Sequence, residues 1–188
     1  MAIAILVGVF GAISYYSTVL RPLAHTLQLW TLMVALVSAR QSFRAGAIRG
    51  AVALTLSVVA FYVSKVVVYH LLYPGTNDDF SLLEVLMWCS VGVVGGFFLG
   101  AAGSRLGSGG WLAATAGTLF ICLQIVDGVH RLDEYSDQLP IIFAAAAAVL
   151  LVALNCRTWK QLSQTLITAA PMALLAILIL GVSDQLTK

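Results

Sequence analysis

Short polar gaps divide this chain into seven apolar segments, and this division restricts its fold more than any other feature. The segments are 2–20, 22–39, 50–72, 82–103, 111–130, 139–156 and 162–182. A helix that crosses a bilayer needs roughly 20 mostly apolar residues, because the hydrocarbon layer is about 30 Å thick and each residue adds 1.5 Å. We therefore predict an all-α, polytopic transmembrane helical bundle of six to seven helices, in a single domain over residues 1–188.

The composition also favours a membrane protein. Hydrophobic residues make up 61% of the chain and charged residues 10%, which leaves too little polar surface to cover a water-soluble globule. Segment 22–39 is the least regular, because its beginning holds His25, Thr26 and Gln28. It either spans the membrane or forms a shorter, re-entrant element.

Basic and acidic residues occupy alternate gaps. Three gaps contain basic residues and no acid: Arg40, Arg44, Arg49, Arg105, Arg157 and Lys160. The remaining gaps and the C-terminal end contain the acids Asp78, Asp79, Asp133, Glu134, Asp137 and Asp184. Because loops rich in Arg and Lys stay in the cytoplasm, we predict a multi-pass protein of the cell membrane with loops 40–49, 104–110 and 157–161 cytoplasmic.

Small residues recur at every fourth position in two segments. They are Gly92, Gly96 and Gly100 in one segment and Ala4, Gly8 and Ala12 in the other. This spacing lines one helix face with small side chains and lets another backbone approach closely. The face is predicted to pack within the chain or to bind a second subunit or a second copy, and both alternatives need the same close approach.

Polar and aromatic residues cluster at the ends of three consecutive segments on the side opposite the basic loops. They are Tyr62, Lys65, Tyr69, Glu84, Trp88, Gln124, Asp127 and His130. Consecutive helices would point these groups at one another, forming an outward-facing pocket that binds a small molecule. In the structural alternative, Lys65 reaches the interface, the aromatic residues form the usual interfacial belt, and Asp127 pairs with Arg131 or Lys65.

The sequence contains few candidates for other chemistry. Cys89, Cys122 and Cys156 have no C-x-x-C spacing and are predicted to pack in apolar surroundings. The three histidines lack the i, i+4 spacing of metal ligands, and no nucleophile, zinc-protease or P-loop motif is present. A small net charge of +2, spread over short gaps, does not predict a nucleic-acid partner. We predict no metal and no cofactor, and no motif in the sequence indicates an enzyme.

Residues 17–103 resemble a family of small multi-pass bacterial membrane proteins, common in actinobacteria, whose domain has no assigned function. The matching residues are Pro22, Leu23, Ala24, Trp30, Ala39, Arg40, Phe61, Tyr62, Trp88, Gly96, Phe98, Gly100 and Gly103. Where the family has Glu and Gly near the end of the fifth segment, this chain has Asp127 and Gly128. The resemblance implies a multi-helix fold and an undefined activity, so it adds no catalytic residues.

The length also resembles that of the substrate-binding subunits of energy-coupling-factor transporters. Those subunits use an outward-facing pocket and dock through small-residue helices, as Ala4, Gly8 and Ala12 would here. This chain departs from them in having seven candidate helices rather than six.

Two functions follow as hypotheses. In the first, the protein binds or translocates a small solute through the outward-facing polar site. In the second, it is an accessory or assembly subunit whose glycine-rich face packs against another membrane protein. The predicted partners are therefore the lipid bilayer, a small-molecule ligand, and another membrane subunit or a second copy of the chain.

Overall fold

The computed structural model describes residues 1–75, 81–135 and 137–186, with side chains in 1–75, 81–132 and 137–172. This part of the chain is helical throughout. The helices are α1 (Ala2–Tyr16), α2 (Arg21–Ala24), α3 (Gln28–Ser38), α4 (Phe43–Leu72), α5 (Leu82–Gly103), α6 (Gly110–Tyr135), α7 (Leu139–Asn155) and α8 (Trp159–Leu186). Asp78 and Asp79 lie outside the described residues, as do the side chains of Asp133, Glu134 and Asp184.

The helical class is confirmed, and three helices of the described part are long and apolar enough to cross a membrane. They are α4, α5 and the stretch Gly110–Leu132 of α6. Helices α1, α3 and α7 are apolar but have only 15, 11 and 17 residues. At 1.5 Å per residue, α3 would cover about half of a 30 Å hydrocarbon layer. Seven spans therefore stay a prediction.

Segment 22–39 is not one helix. The four-residue α2 begins at Arg21 with Pro22 in its first turn, the chain leaves the helical path at His25, and a second helix begins at Gln28. The Thr26 hydroxyl donates to the Leu23 carbonyl at 2.8 Å and satisfies one of the acceptors at the end of α2. The segment is therefore two short helices, and the two alternatives, a membrane span and a re-entrant element, both stay predictions.

Helix α4 begins seven residues before the predicted start at residue 50. Ser42 is its N-cap, and the Ser42 hydroxyl accepts from the Ala45 N–H at 3.4 Å. The predicted basic loop 40–49 is therefore wrong in extent, because Arg44 and Arg49 are exposed on the first two turns of α4. Apolar content alone missed this start, since the first turns of the helix are amphipathic.

Helix α3 lies at the centre of the molecule. In one core cluster, Met33 and Val34 of α3 pack with Ala4 of α1 and Ala53 of α4. In the other, Ala35 packs with residues that follow α5 or lie on α6 and α7: Leu106, Ala116, Phe120 and Leu151. Helix α3 thus joins the group α1, α4 and α5 to the group α6, α7 and α8.

Both small-residue series are buried inside the chain. Gly96 faces Gly50 of α4, Gly100 faces Gly46 and Gly50, and Gly92 faces Thr55 at 3.4 Å. In α1, Ala4, Gly8 and Ala12 are buried, and Gly8 lies against Ser57 and Ala60 of α4. Helix α4 therefore covers these faces, and an assembly role would need another surface.

Candidate functional site

The two ends of the molecule differ in charge. Helix α3 relates them, because its Gln28 contacts Gln124 of α6 whereas its Ser38 donates to the Gly46 carbonyl of α4 at 3.2 Å. We call the end with Gln28, Glu84 and Asp127 the acidic end. The opposite end, with Arg40, Arg44, Arg105 and Arg157, is the basic end.

Tyr62 and Glu84 meet at the acidic end. The Tyr62 hydroxyl donates to Glu84 Oε1 at 2.8 Å, and the Tyr62 side chain is buried against α5. Helices α4 and α5 are antiparallel, which brings the second half of α4 beside the first turn of α5. The hydrogen bond closes the acidic end of the glycine-lined interface.

Replacing Tyr62 with phenylalanine removes only this hydroxyl. We expect the free energy of unfolding to fall by about 1 kcal/mol, the usual net value of one hydrogen bond. A double-mutant cycle with Glu84→Gln, followed by thermal unfolding in detergent, measures the coupling. Tyr69→Phe is the matched control, since the described contacts of Tyr69 with Tyr16 and Tyr73 are made by its ring. Equal losses in both tyrosine variants would contradict the assignment.

Lys65 lies over an aromatic ring and forms no ion pair with the carboxylates that the structure describes. Its Nζ is 5.2 Å from the centroid of Tyr15, a residue of α1. Tyr15 in turn contacts the rings of Tyr16, His25 and Phe61. A half-buried ammonium over a tyrosine face is stabilised by the ring quadrupole, so Lys65 joins α4 to α1.

The remaining predicted residues occupy separate places. Tyr69 stacks with Tyr16 and Tyr73, Trp88 is 43% exposed on α5, and His130 is exposed on α6. Gln124 and Asp127 face α3 and the chain just before it. The expectation that consecutive helices point these groups at one another is wrong for α5 and α6, because α6 contacts α3 and α7 at this end.

A buried polar group, which we call the Gln28–Gln124 cluster, joins α3 to α6 and α7. It consists of Gln28, Thr31, Gln124 and Asp127. Gln28 Nε2 donates to the carbonyls of Gln124 at 3.0 Å and of Pro140 at 3.1 Å. Gln124 Nε2 donates to the Gln28 carbonyl at 3.1 Å and to Thr31 Oγ1 at 2.8 Å. Both glutamine side chains are fully buried.

The two amide orientations follow from these partners. Each Nε2 faces two acceptors, and Thr31 Oγ1 uses its own proton on the Leu27 or Gln28 carbonyl. Turning either amide would place an oxygen against oxygens. Gln28 Oε1 and Gln124 Oε1 are therefore the free acceptors, and both are buried without a hydrogen-bond partner among the described residues.

Asp127 caps α3 from another helix. Leu27, at the N-terminal end of α3, has no side-chain cap of its own, and its N–H donates to Asp127 Oδ2 at 2.9 Å. A carboxylate is stabilised at a helix N-terminus by the helix dipole. Asp127 Oδ1 also lies 4.0 Å from Arg131 Nε. The predicted Asp127–Arg131 pair is thus present, and it adds to the capping contact.

Gly128 makes the close approach of Gln28 possible. A methyl group at this position would lie 2.8 Å from Gln28 Nε2 and 3.0 Å from the Ala144 Cβ. Gln28, Thr31 and the Leu27 N–H were not predicted as site residues. The polar start of segment 22–39 was the available signal, but it indicated only a poor membrane span.

Comparison with known proteins places the chain in a family. A model described as a family of unknown function (DUF6518) matches residues 1–186. The chain belongs to this family. The match extends well beyond residues 17–103 and confirms membership in a family without an assigned function, whereas a bacterial source and a likeness to energy-coupling-factor subunits stay predictions. No curated protein and no solved structure matches the chain.

Proposed function

We propose that this family member is a multi-pass protein of the cell membrane that binds a small solute at the Gln28–Gln124 cluster. The supporting observation is that two fully buried amide oxygens, Gln28 Oε1 and Gln124 Oε1, lie near the carboxylate of Asp127 and receive no hydrogen bond from any residue that the structure describes. A buried acceptor without a donor costs about 1–3 kcal/mol. A solute that is positively charged or donates hydrogen bonds would satisfy these acceptors.

The break between α2 and α3 supports a binding site at this position. Interrupted helices inside a membrane occur where the backbone is buried in protein or lines a cavity, because lipid cannot satisfy free N–H and C=O groups. In many transporters the ends of such half-helices bind the solute. Here the Leu27 N–H and the Asp127 carboxylate meet at the break. Passage of the solute across the membrane would complete the proposed function.

The charge distribution supports the orientation of this site. Arg40, Arg44, Arg105 and Arg157 belong to the basic end, which the positive-inside rule assigns to the cytoplasm. The acidic end then faces outward. The Gln28–Gln124 cluster would therefore receive its solute from outside the cell.

Asp127→Asn tests the proposal with little disturbance of the fold. The asparagine oxygen can still accept from the Leu27 N–H, so α3 keeps its cap while the negative charge is lost. We expect native mass spectrometry of gently purified wild-type protein to show a retained small molecule, and Asp127→Asn to reduce its occupancy about tenfold, equivalent to ~1.4 kcal/mol. Thermal unfolding of the two proteins should differ little.

Glu84→Gln is the control for loss of a carboxylate at the acidic end. It removes a charge on α5 without touching the Gln28–Gln124 cluster, and it should leave ligand occupancy unchanged. A screen of small amines and polyols by thermal shift provides a second measurement. A wild-type protein with a bare mass and no shift with any of these solutes would contradict solute binding, as would equal losses in Asp127→Asn and Glu84→Gln.

A further inference from the structure

A second feature lies at the opposite end of the molecule, where α5 and α6 diverge from their short connection. They leave an open groove of about 370 Å³ between them. Phe43 of α4 and Met172 of α8 also line it, and most of the remaining lining is apolar and small: Ala101, Ala102, Leu112, Ala116 and Leu119. The side chains of Ala101, Ala102 and Ala116 are too short to fill the space between the two helices. Helix α3 packs on the other side of both helices and does not line the groove.

Arg105 lies at this groove and is exposed. Its guanidinium carbon is 6.0 Å from the ring centroid of Phe43, a distance at which a cation is attracted to an aromatic face. The connection that holds Arg105 is tied to α7, because the Gly107 N–H donates to Asn155 Oδ1 at 3.1 Å. The backbone that carries Arg105 is therefore anchored to α7, and the exposed cation lies at the edge of an apolar groove.

The basic end has no acid of its own to neutralise this charge. Residues 38–49, 103–110 and 155–161 contain no Asp or Glu, whereas they contain Arg40, Arg44, Arg49, Arg105, Arg157 and Lys160. An anion that pairs with Arg105 must therefore come from outside the chain or from a distant part of it. The apolar lining beside Arg105 favours an anion that is attached to a hydrocarbon.

We propose that the groove binds one acyl chain of an anionic phospholipid whose phosphate pairs with Arg105. Basic pockets between membrane helices on the cytoplasmic side bind such headgroups, and arginine binds phosphate through two parallel N–H donors. Charge complementarity favours a lipid, because the groove joins an apolar lining to one exposed cation, as a phospholipid joins hydrocarbon to a phosphate. This proposal and the proposed function have one assumption in common, which is the orientation of the protein in the membrane.

The test uses the full-length protein reconstituted in bilayers of equimolar phosphatidylglycerol and phosphatidylcholine. After extraction in mild detergent, native mass spectrometry counts the retained lipids of each type. We expect phosphatidylglycerol to be retained preferentially and Arg105→Gln to reduce that preference about fivefold, the effect of one arginine at an anionic surface, ~1 kcal/mol. Arg157→Gln, an exposed arginine of the same end outside the groove, should leave it unchanged.

A second variant tests the groove itself. Thr115 is an exposed lining residue, and Thr115→Trp should fill part of the groove and reduce retention of both lipids. Equal retention of the two lipids by the wild-type protein would overturn the proposal. Equal effects of the two arginine variants would overturn it in favour of general attraction to the membrane surface. Asp127→Asn should not change lipid retention, so this proposal and the proposed function can fail independently.

Discussion

Replacing Phe120 with alanine is expected to lower the free energy of unfolding by about 3 kcal/mol or more, the usual cost of removing a buried phenylalanine. Phe120 is fully buried and packs with Ala35 of α3, Leu106 and Leu151 of α7. The cavity would open where α6 and α7 meet α3. Because contacts with α3 join the two helix groups, we also expect this variant to be cleaved faster by protease within the connection 104–109.

Phe98→Ala is the matched control for this experiment. Phe98 is 67% exposed on α5, so its removal leaves no cavity, and the free energy of unfolding should change by less than about 0.5 kcal/mol. Thermal or denaturant unfolding in detergent, with a helix signal as readout, measures both. Similar losses in the two variants would mean that Phe120 does not join the helix groups.

Gly96→Ala is expected to destabilise the protein by about 2 kcal/mol, within the usual cost of overpacking. A methyl group at Gly96 would lie 2.5 Å from the Gly50 carbonyl oxygen and 2.8 Å from the Ala51 Cα. These neighbours are backbone atoms, so α4 and α5 must separate along their whole interface. The Tyr62–Glu84 hydrogen bond at the acidic end of that interface should weaken as well.

Gly95 offers a control one residue away. Its Cβ position has no heavy atom within 4 Å, so alanine meets nothing there. Since glycine is less favourable than alanine in a helix by about 0.5–1 kcal/mol, Gly95→Ala should be neutral or slightly stabilising. Opposite signs for these adjacent substitutions, measured by thermal unfolding, would establish close α4–α5 packing. Equal signs would contradict it.

The predicted helices agree best with the structure where a helix has clear caps. Segment 82–103 is confirmed as α5 at both ends, with Ser81 as N-cap and Ser104 following Gly103. Hydropathy places Arg44 and Arg49 in a loop, whereas helix α4 begins at Phe43, before the predicted start. Long basic side chains can lie on an exposed helix face, so a change in hydropathy does not always mark a helix end.

The candidate site was predictable only in part. Gln124 and Asp127 were chosen because polar groups inside an apolar segment need an explanation. Their partners Gln28 and Leu27 lie about 100 positions earlier in the chain and could not be found from spacing along one helix. The prediction paired consecutive helices, whereas α3 is the partner of α6 here.

Sequence by itself determined the helical class, most segment positions and the separation of basic from acidic gaps. These properties are local, because a backbone among apolar side chains must satisfy its own hydrogen bonds and therefore forms helices. Only the tertiary structure decided that Gly96 faces Gly50 and that Asp127 caps α3. Helix packing in a membrane depends on the matching of shapes and on polar contacts between distant segments, and apolar patterns do not encode which surfaces match.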